Sequence, residues 1–579
     1  MIGKTIPEVF FETVERYPQK TALLYKKDGV YFPVSYHEFG EKVKILAARF
    51  QKIGVNKGDK VAILSENRPE WAISDLATML VGAIVVPLHT TLSPKAISNT
   101  LKHSGAKILI VSSSDLLNKV LLGDSDLNFL EKVIFLQRPT AAEQDSLRGK
   151  IFTWSALFNH SHPGSYEETF LEPDEACTII YTSGTTGEPK GVVLSHQNFL
   201  SNVEAVTSVI PVKKTDVFLS FLPLSHVLER MAGYYIPISF GATIAYSEGI
   251  KQLALNLKEV RPTILISVPR VFEKFHDTIW DKVRTSSLKN KLFHWALRQR
   301  KETLRYKIGD FLVFKKIKAN LGGRLRLTVS GGATLNERIA RFFYKIGVMV
   351  LEGYGLTETS PVLAVNREKD FRFGTVGKPV PGTKIKISPE KEILAKGPNI
   401  TSGYFRNEEA AAKSFDKDGW FYTGDMGFLD KQGFLTVIGR IKEMIVTSGG
   451  KNVWPEMIEA QLNKDRFIIN SMVIGNRRRF ISTLIVPDWE EVELWLKENN
   501  LPVQEPEKLI RNPRILEVFQ QRLDQKINPN LCEYERIRGF KLLIHDFSQE
   551  RDELTPTLKL RRRVIEQRYQ KEIDEIYAD

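Results

Sequence analysis

The residues best suited to chemistry form one run of ten, Thr182-Ser183-Gly184-Thr185-Thr186-Gly187-Glu188-Pro189-Lys190-Gly191, set between the apolar segments Thr178 to Tyr181 and Val192 to Leu194. Hydroxyls donate, glycines let backbone N–H groups approach closely, and Lys190 adds a point charge, a combination suited to phosphate oxygens. Pro189 stands before Lys190 and a strand pattern follows, so this is not the commonest nucleotide loop, in which Gly precedes Lys and a helix follows. A solvated hairpin turn is the competing reading. Two further segments, Ser330-Gly331-Gly332-Ala333 and Gly353-Tyr354-Gly355, follow apolar runs and could bring backbone against a ligand.

Such loops need a sheet to hold them. Leu325 to Val329 reads as a strand, Leu335 to Tyr344 as a helix and Val348 to Leu351 as a second strand. A short helical crossover makes the strands parallel, with their carboxyl ends side by side. Open α/β sheets hold ligands there, so both glycine segments are expected as loops of one site. Val61 to Leu64 and Ile84 to Val86, around a helical pattern through Trp71 to Met79, form another β-α-β pattern. After Glu358, short segments such as Glu392 to Lys396 and Phe434 to Ile438 predict a small β-rich subdomain. From Met444 the order is strand, helix from Pro455, strands at Met472 to Ile474 and Ser482 to Ile485, then a helix from Asp488. The expected fold is α/β: a large N-terminal domain of parallel α/β sheets with a β-rich subdomain (1–438), a junction (439–443) and a small α+β C-terminal domain (444–579). A chain of 579 residues exceeds what one core supports.

Hydrophobic residues at 42% and charged residues at 26% exclude fibrous and disordered classes. Cys177 and Cys532 stand far apart, so neither a disulfide framework nor a cysteine zinc site is expected. Glu8, Glu12 and Glu15 interrupt the stretch an export signal would need to keep apolar, and the chain reads as cytoplasmic. Leu76 to Pro94 is broken at Pro87, and Met231 to Ser247 at Gly233, Pro237 and Gly241, so neither should cross a bilayer. The net charge of +13 is concentrated, because Asp281 to Arg326 holds 14 Lys/Arg against 3 Asp/Glu. Interleaved Leu288, Leu292, Phe293, Trp295, Ala296, Leu297 and Leu304 make it either a basic amphipathic helix for anionic lipid or a solvated helix face. No recognition motif supports a nucleic-acid partner.

Seven segments in order carry a resemblance: YTSGTTGEPKGV (181–192), LPLSH (222–226), SGGATL (330–335), EGYGLTE (352–358), DGWFYTGD (418–425), GRIKEMIVTSGGKNVWP (439–455) and LTPTLKLRR (554–562). Together they resemble the adenylate-forming (ANL) superfamily of acyl-CoA synthetases, adenylation domains and beetle luciferases, and most closely its bacterial long-chain fatty-acid CoA ligases. The likeness covers most of the chain, though 110–170, 281–320 and 490–550 match nothing distinctive.

The resemblance implies ATP, Mg2+ and coenzyme A. A carboxylate attacks the α-phosphate of ATP, giving acyl-adenylate and pyrophosphate, and a thiol then displaces AMP. Setting one anion against another calls for neutralisation and in-line positioning rather than an acid or base. By resemblance, Thr185 and Glu358 hold Mg2+, while Thr182, Ser183, Gly184, Thr186, Gly187 and Lys190 cradle phosphates. Gly331, Gly332 and Ala333 with Tyr354 resemble the adenine pocket, and Gly353, Gly355 and Thr357 join the nucleotide-binding set. Asp425 resembles the ribose carboxylate, Arg440 and Lys442 hinge residues near ribose and phosphate, and Lys559 the adenylation lysine. Read locally, Asp425 could be a turn residue and Lys559 a solvated cation. In the family the C-terminal domain is a mobile lid that presents, for the thiol step, the loop matching Thr447 to Asn452, with Gly449, Gly450 and Lys451. Gly439 precedes Arg440 where several members have Asp or Lys at the pivot. His226 resembles a residue that opens the thiol path, or is a core histidine. Arg230 replaces a tryptophan gate of thermophilic relatives, so that gate is not carried over.

The expected activity is therefore ATP- and Mg2+-dependent ligation of a long-chain fatty acid to coenzyme A. Alternatives are transfer to acyl carrier protein, a stand-alone adenylation domain, and a basic membrane- or nucleic-acid-binding protein without catalysis. The basic segment suggests peripheral attachment to an anionic membrane surface.

Overall fold

A computed structural model describes every residue except 2, 125–126, 141–142, 144–146, 148, 159–165, 183–188, 285, 556–558 and 579. The chain falls into two compact units. The larger comprises Met1–Lys386, Leu394–Thr423 and Leu429–Leu435; the smaller comprises Ile387–Ile393, Gly424–Phe428 and Thr436–Asp579.

The larger unit contains an eight-stranded and a nine-stranded sheet. In the first, Lys60–Leu64 lies between Ile84–Leu88 and Ile108–Val111 and runs parallel to both. These strands are apolar nearly throughout, as a parallel sheet covered on both faces requires. The crossover helix Pro69–Leu80 begins with Pro69, whose missing N–H is no loss in the first turn, and is buried along nearly its whole length. The expected β-α-β unit is thus present. Ala62, Leu64, Val86, Leu109, Phe135 and Ile179 meet in its core.

In the nine-stranded sheet, Leu327–Ser330, helix Glu337–Lys345 and Val350–Gly355 form the second predicted unit, its elements displaced about two residues from the sequence reading. The two strands are parallel, with Val329 opposite Leu351 and Ser330 opposite Glu352. One expectation is corrected. Gly353-Tyr354-Gly355 is not a loop but the end of the strand, which leaves its parallel partner and pairs antiparallel with Val362–Val365. Gly355 permits this, since a Cβ there would fall 1.7 Å from Pro361 O.

The smaller unit holds the three-stranded sheet Ile468–Ile474, Ile481–Pro487 and Ile537–Leu542. Helices Pro455–Leu462, Trp489–Glu498 and Pro513–Arg522 bury Ile458, Val492 and Phe519 in one cluster with it. Asp488 caps the middle helix by accepting from Glu490 N and Glu491 N at 3.1 and 3.2 Å. Ile537–Leu542, absent from the sequence reading, runs parallel to Ile481–Pro487. A four-stranded sheet is formed by Lys384–Ile387, Glu392–Lys396, Phe421–Leu429 and Leu435–Arg440.

The basic stretch divides into several helices. Helix Ser287–Arg298 turns Phe293 and Ala296 into the protein, Phe293 meeting Trp280 edge to face at 4.9 Å, so much of its apolar character serves packing. Leu288 on this helix stays exposed, and a further group of exposed apolar residues, Leu304, Ile308, Phe311 and Leu312, lies on the following helical run, 304–320. Among the described residues no helix is long and apolar enough to cross a membrane.

Candidate active site

The ten-residue motif is flanked by paired strands. Ala176–Thr182 and Lys190–Ser195 pair antiparallel, with Thr182 directly opposite Lys190. Ser183, Gly184, Thr185, Thr186, Gly187 and Glu188 lie outside the described residues. Lys190 Nζ stands 4.9 Å from the centroid of the Tyr404 ring, and Tyr404 OH donates to Glu358 Oε1 at 3.1 Å. Lys190 and Glu358 are therefore joined through one aromatic residue.

A short segment, 399–404, makes that junction. Asn399 Nδ2 donates to Thr359 O at 2.8 Å, Thr401 N to Glu358 O at 2.8 Å, and Thr401 Oγ1 to Val193 O at 2.5 Å. Gly403 and Tyr404 then pair with Val193 and Val192. Two strands and the turn Thr357–Thr359 are stitched by main-chain groups and the short side chains of Asn399 and Thr401, which fix positions better than long flexible arms do. Sequence reasoning missed Tyr404. The available signal was a Gly-Tyr pair after the punctuation of Gly397 and Pro398, too short to show a strand period.

The adenine-type segments are brought together as expected, although one is strand. Gly331 N donates to Ser267 O at 3.1 Å, and a Cβ at Gly331 would lie 3.9 Å from Gly353 O and 3.1 Å from Leu228 Cδ2. Gly332 follows with φ +84°, and Tyr354 pairs across the strand with Ala364. Leu228 N donates to His226 Nδ1 at 3.3 Å, placing His226 one side chain away from the Gly331 turn. Its ring is 6.3 Å from that of His89, whose pKa burial lowers to about 4. His89 is thus neutral at pH 7 and shares a 2.6 Å hydrogen bond between Nδ1 and Ser225 Oγ.

Glu352, just before Gly353, is pushed up to about 8, first by burial and then by Glu337, with the Leu335 backbone opposing. Glu229 is likewise raised to about 8 by burial; among the described residues neither of its oxygens has a hydrogen-bond partner, and Ser220 opposes the rise without reaching hydrogen-bond geometry. Arg230 is fully buried. It pairs with Asp75, donates to Thr178 Oγ1 at 2.7 Å and lies over Trp71 and Tyr235 at 5.5 and 5.7 Å. Burial alone would lower its pKa, but Asp75 raises it and keeps the guanidinium charged. Arg230 is structural here, a position unlike that of a gate.

In the smaller unit the predicted residues form a second cluster. Asp425 lies on the strand Phe421–Leu429 and accepts from Arg440 Nε at 3.1 Å, Asp425 being 6% and Arg440 37% exposed in side-chain terms. Gly439 carries φ +155°, and a Cβ there would stand 3.4 Å from Glu456 Oε2. Lys442 is exposed on the turn Ile441–Glu443. Lys559 keeps exposed surface as a residue, yet its ammonium has enough protein around it to lower its pKa. That desolvation is the main cause and Arg440 adds to it, while Asp425, Glu456 and Glu443 oppose it.

Lys559 is held from both sides of its turn. Its N–H donates to Thr555 Oγ1 at 3.0 Å, Thr555 N donates to Lys559 O at 2.8 Å, and Leu554 pairs with Leu560. Three residues on, Arg562 grips Glu459 with two bonds of 2.7 and 2.6 Å. The exposed turn of Gly449, Gly450 and Lys451 links Ile445–Val446 to Asn452–Val453 and is closed by Thr447, whose N–H donates to Lys451 O at 3.0 Å.

Among the described residues no group of three His, Cys, Asp or Glu could hold a metal alone. Glu358 offers hard oxygen, and Mg2+ commonly takes one or two protein oxygens and completes its shell with water and phosphate. The Glu358 donor therefore suits Mg2+ carried with a nucleotide.

Residues 10–405 match the AMP-binding enzyme family and residues 442–579 the AMP-binding enzyme C-terminal domain. This chain belongs to the AMP-binding enzyme family, within the ANL superfamily. It is similar to long-chain-fatty-acid–CoA ligase FadD15 of Mycobacterium bovis, 34% identical over 572 residues that cover 95% of this chain and 93% of that protein. It is also similar to long-chain-fatty-acid–CoA ligase ACSBG2 of Homo sapiens, 31% identical over 620 residues covering 99% and 92%. In fold it matches the adenylation domain of a carboxylate reductase from Mycobacterium chelonae, with a TM-score of 0.81 at 22% identity, covering 100% of this chain and 91% of that one.

Proposed function

We propose that this protein is an AMP-forming acid–thiol ligase that activates a long-chain fatty acid as its acyl-adenylate and passes the acyl group to coenzyme A. The observation that carries the reading is the Lys190–Tyr404–Glu358 junction, a cation and a carboxylate fixed together at the mouth of a Gly- and hydroxyl-rich hairpin. Near full-length similarity to long-chain-fatty-acid–CoA ligases supports the substrate class.

In the first half-reaction a carboxylate oxygen of the acid bonds to the α-phosphorus, and the bond to the bridging oxygen breaks, releasing pyrophosphate. Lys190 neutralises the departing phosphates, with Ser183, Gly184, Thr186 and Gly187 completing the cradle. Mg2+, held by Glu358 and Thr185, would supply further charge neutralisation. Gly331–Ala333 and Tyr354 receive adenine, Asp425 accepts from the ribose hydroxyls, and Lys559 neutralises the α-phosphate and incoming carboxylate. Burial has already removed part of the water around the Lys559 amine, which is what lowers its pKa.

In the second half-reaction the thiol gives up its proton to solvent, sulfur bonds to the acyl carbon, and the acyl–oxygen bond breaks with its electron pair leaving on the AMP phosphate. Residues 439–443 act as the hinge between domains 1–438 and 444–579, and the two steps use different faces of the smaller one. Lys559 serves adenylation; the turn 447–452, with Gly449, Gly450 and Lys451, admits the thin thiol arm, and His226 lines its path. A fatty acid of this length partitions into lipid, which favours work at a membrane surface.

The test is pyrophosphate release across acetate, octanoate, palmitate and aromatic acids, each with coenzyme A and with acyl carrier protein. Palmitate and coenzyme A should give the fastest turnover. Turnover of acetate alone refutes the long-chain reading, and turnover with carrier protein alone reassigns the acceptor.

A further inference from the structure

We infer that the helical run 304–320 is a membrane-docking element that lays Leu304, Ile308, Phe311 and Leu312 into an anionic lipid surface. The run is continuous, Leu304–Gly309 and Lys315–Asn320 flanking a wider π turn at Asp310–Phe314. Spacings of four, three and one residues put the four apolar side chains on one helix face. All four are exposed, Leu304 at 74%, Ile308 at 44%, Phe311 at 65% and Leu312 at 43%.

The opposite side is committed to the protein. Gly309 packs so closely that a Cβ would lie 3.1 Å from Ala296 Cβ. Phe314 is buried against Phe293 and Tyr306 at 6.5 and 5.8 Å, and Tyr306 OH donates to Lys345 O at 2.8 Å. The outer face is thus presented on a fixed support.

Charge identifies the occupant. Arg305, Lys307, Lys315 and Lys316 are exposed beside the apolar residues, and Lys315 Nζ stands 5.4 Å from the Phe311 ring. Asp310, the acid within the run, is already engaged by Lys318 at 2.7 Å. An apolar strip edged by cations matches acyl chains below anionic headgroups, because long basic side chains keep their charge at headgroup level. A nucleic acid would leave the apolar strip in water, and an acidic protein would need its own exposed apolar strip to meet it. The placement rests on the proposed reading that the substrate is lipid-soluble, but docking itself is measured without catalysis.

The experiment floats the full-length protein with vesicles of phosphatidylcholine alone, or of phosphatidylcholine and phosphatidylglycerol at about 3:1. Flotation is expected with the anionic vesicles and not with neutral ones, weakening as salt rises. Phe311→Ser/Leu312→Ser should lower partitioning at least about tenfold, and Lys315→Gln/Lys316→Gln about tenfold on anionic vesicles. Both variants should keep wild-type octanoate turnover in solution and unchanged thermal melting. Equal flotation with neutral vesicles, wild-type flotation by Phe311→Ser/Leu312→Ser, or retention by duplex RNA without vesicle binding would each overturn the inference. Flotation by a protein that fails to turn over palmitate would instead overturn the substrate reading and leave docking intact.

Discussion

Two arginine–aspartate pairs of the same chemical type serve opposite ends. Asp75–Arg230, in the larger unit, has no exposed side-chain surface, is roofed by Trp71 and Tyr235, and donates to the strand Ala176–Thr182 through Thr178. Asp425–Arg440, in the smaller unit, leaves Arg440 37% exposed, and both charges act on Lys559. A guanidinium enclosed by aromatic rings can hold secondary structure together but cannot reach a substrate. One with a wet face can exchange its partner. Burial of the cation, more than the identity of the pair, separates scaffold from candidate site.

The largest effect should come from breaking the enclosed pair. Arg230→Ala leaves Asp75 buried and uncompensated, and should cost about 3–5 kcal/mol in urea unfolding. A loss below about 1 kcal/mol would erase the contrast between the pairs. Lys559→Ala should lower adenylate formation roughly 10² to 10³-fold, spare thioester formation from supplied acyl-adenylate, and leave unfolding unchanged. Equal loss in both half-reactions would remove Lys559 from its assigned role.

Third in size is a lone buried acid. Because Glu352 is raised to about 8, the native state holds a proton that the unfolded chain releases above its ordinary value of 4.5, so stability falls as pH rises between those limits. Glu352→Gln should flatten the decline between pH 6 and 8 by about 2–3 kcal/mol, read by urea unfolding at each pH. An unchanged slope would place that proton elsewhere. The smallest effect is expected at the open pair, where Asp425→Asn should raise the KM for ATP about tenfold with stability within about 1 kcal/mol of wild type. Severe destabilisation by this change would make the two pairs alike.

The parallel units around Leu327–Ser330 and Lys60–Leu64 were legible because buried parallel strands are continuous apolar runs separated by a helical period. The end of Val350–Gly355 was misread because glycine normally signals a turn, whereas here Gly355 is required by the approach of Pro361 O. Ile537–Leu542 escaped because its apolar residues are interrupted by Arg538 and Lys541. For the candidate site, Lys190, Glu358, Gly331 and Asp425 were proposed from ordered motifs. Tyr404, which joins the first two, was not, because its partners are remote in sequence and only tertiary pairing brings them together.

The segment 399–404 also makes the hairpin lysine sensitive to parity. Side chains alternate along Gly403–Tyr404, so deleting a single residue between Asn399 and Gly403 would turn the phenol to the opposite face of the sheet. Lys190 and Glu358 would then keep their own backbones and lose their common reference, a fault of phase rather than of composition.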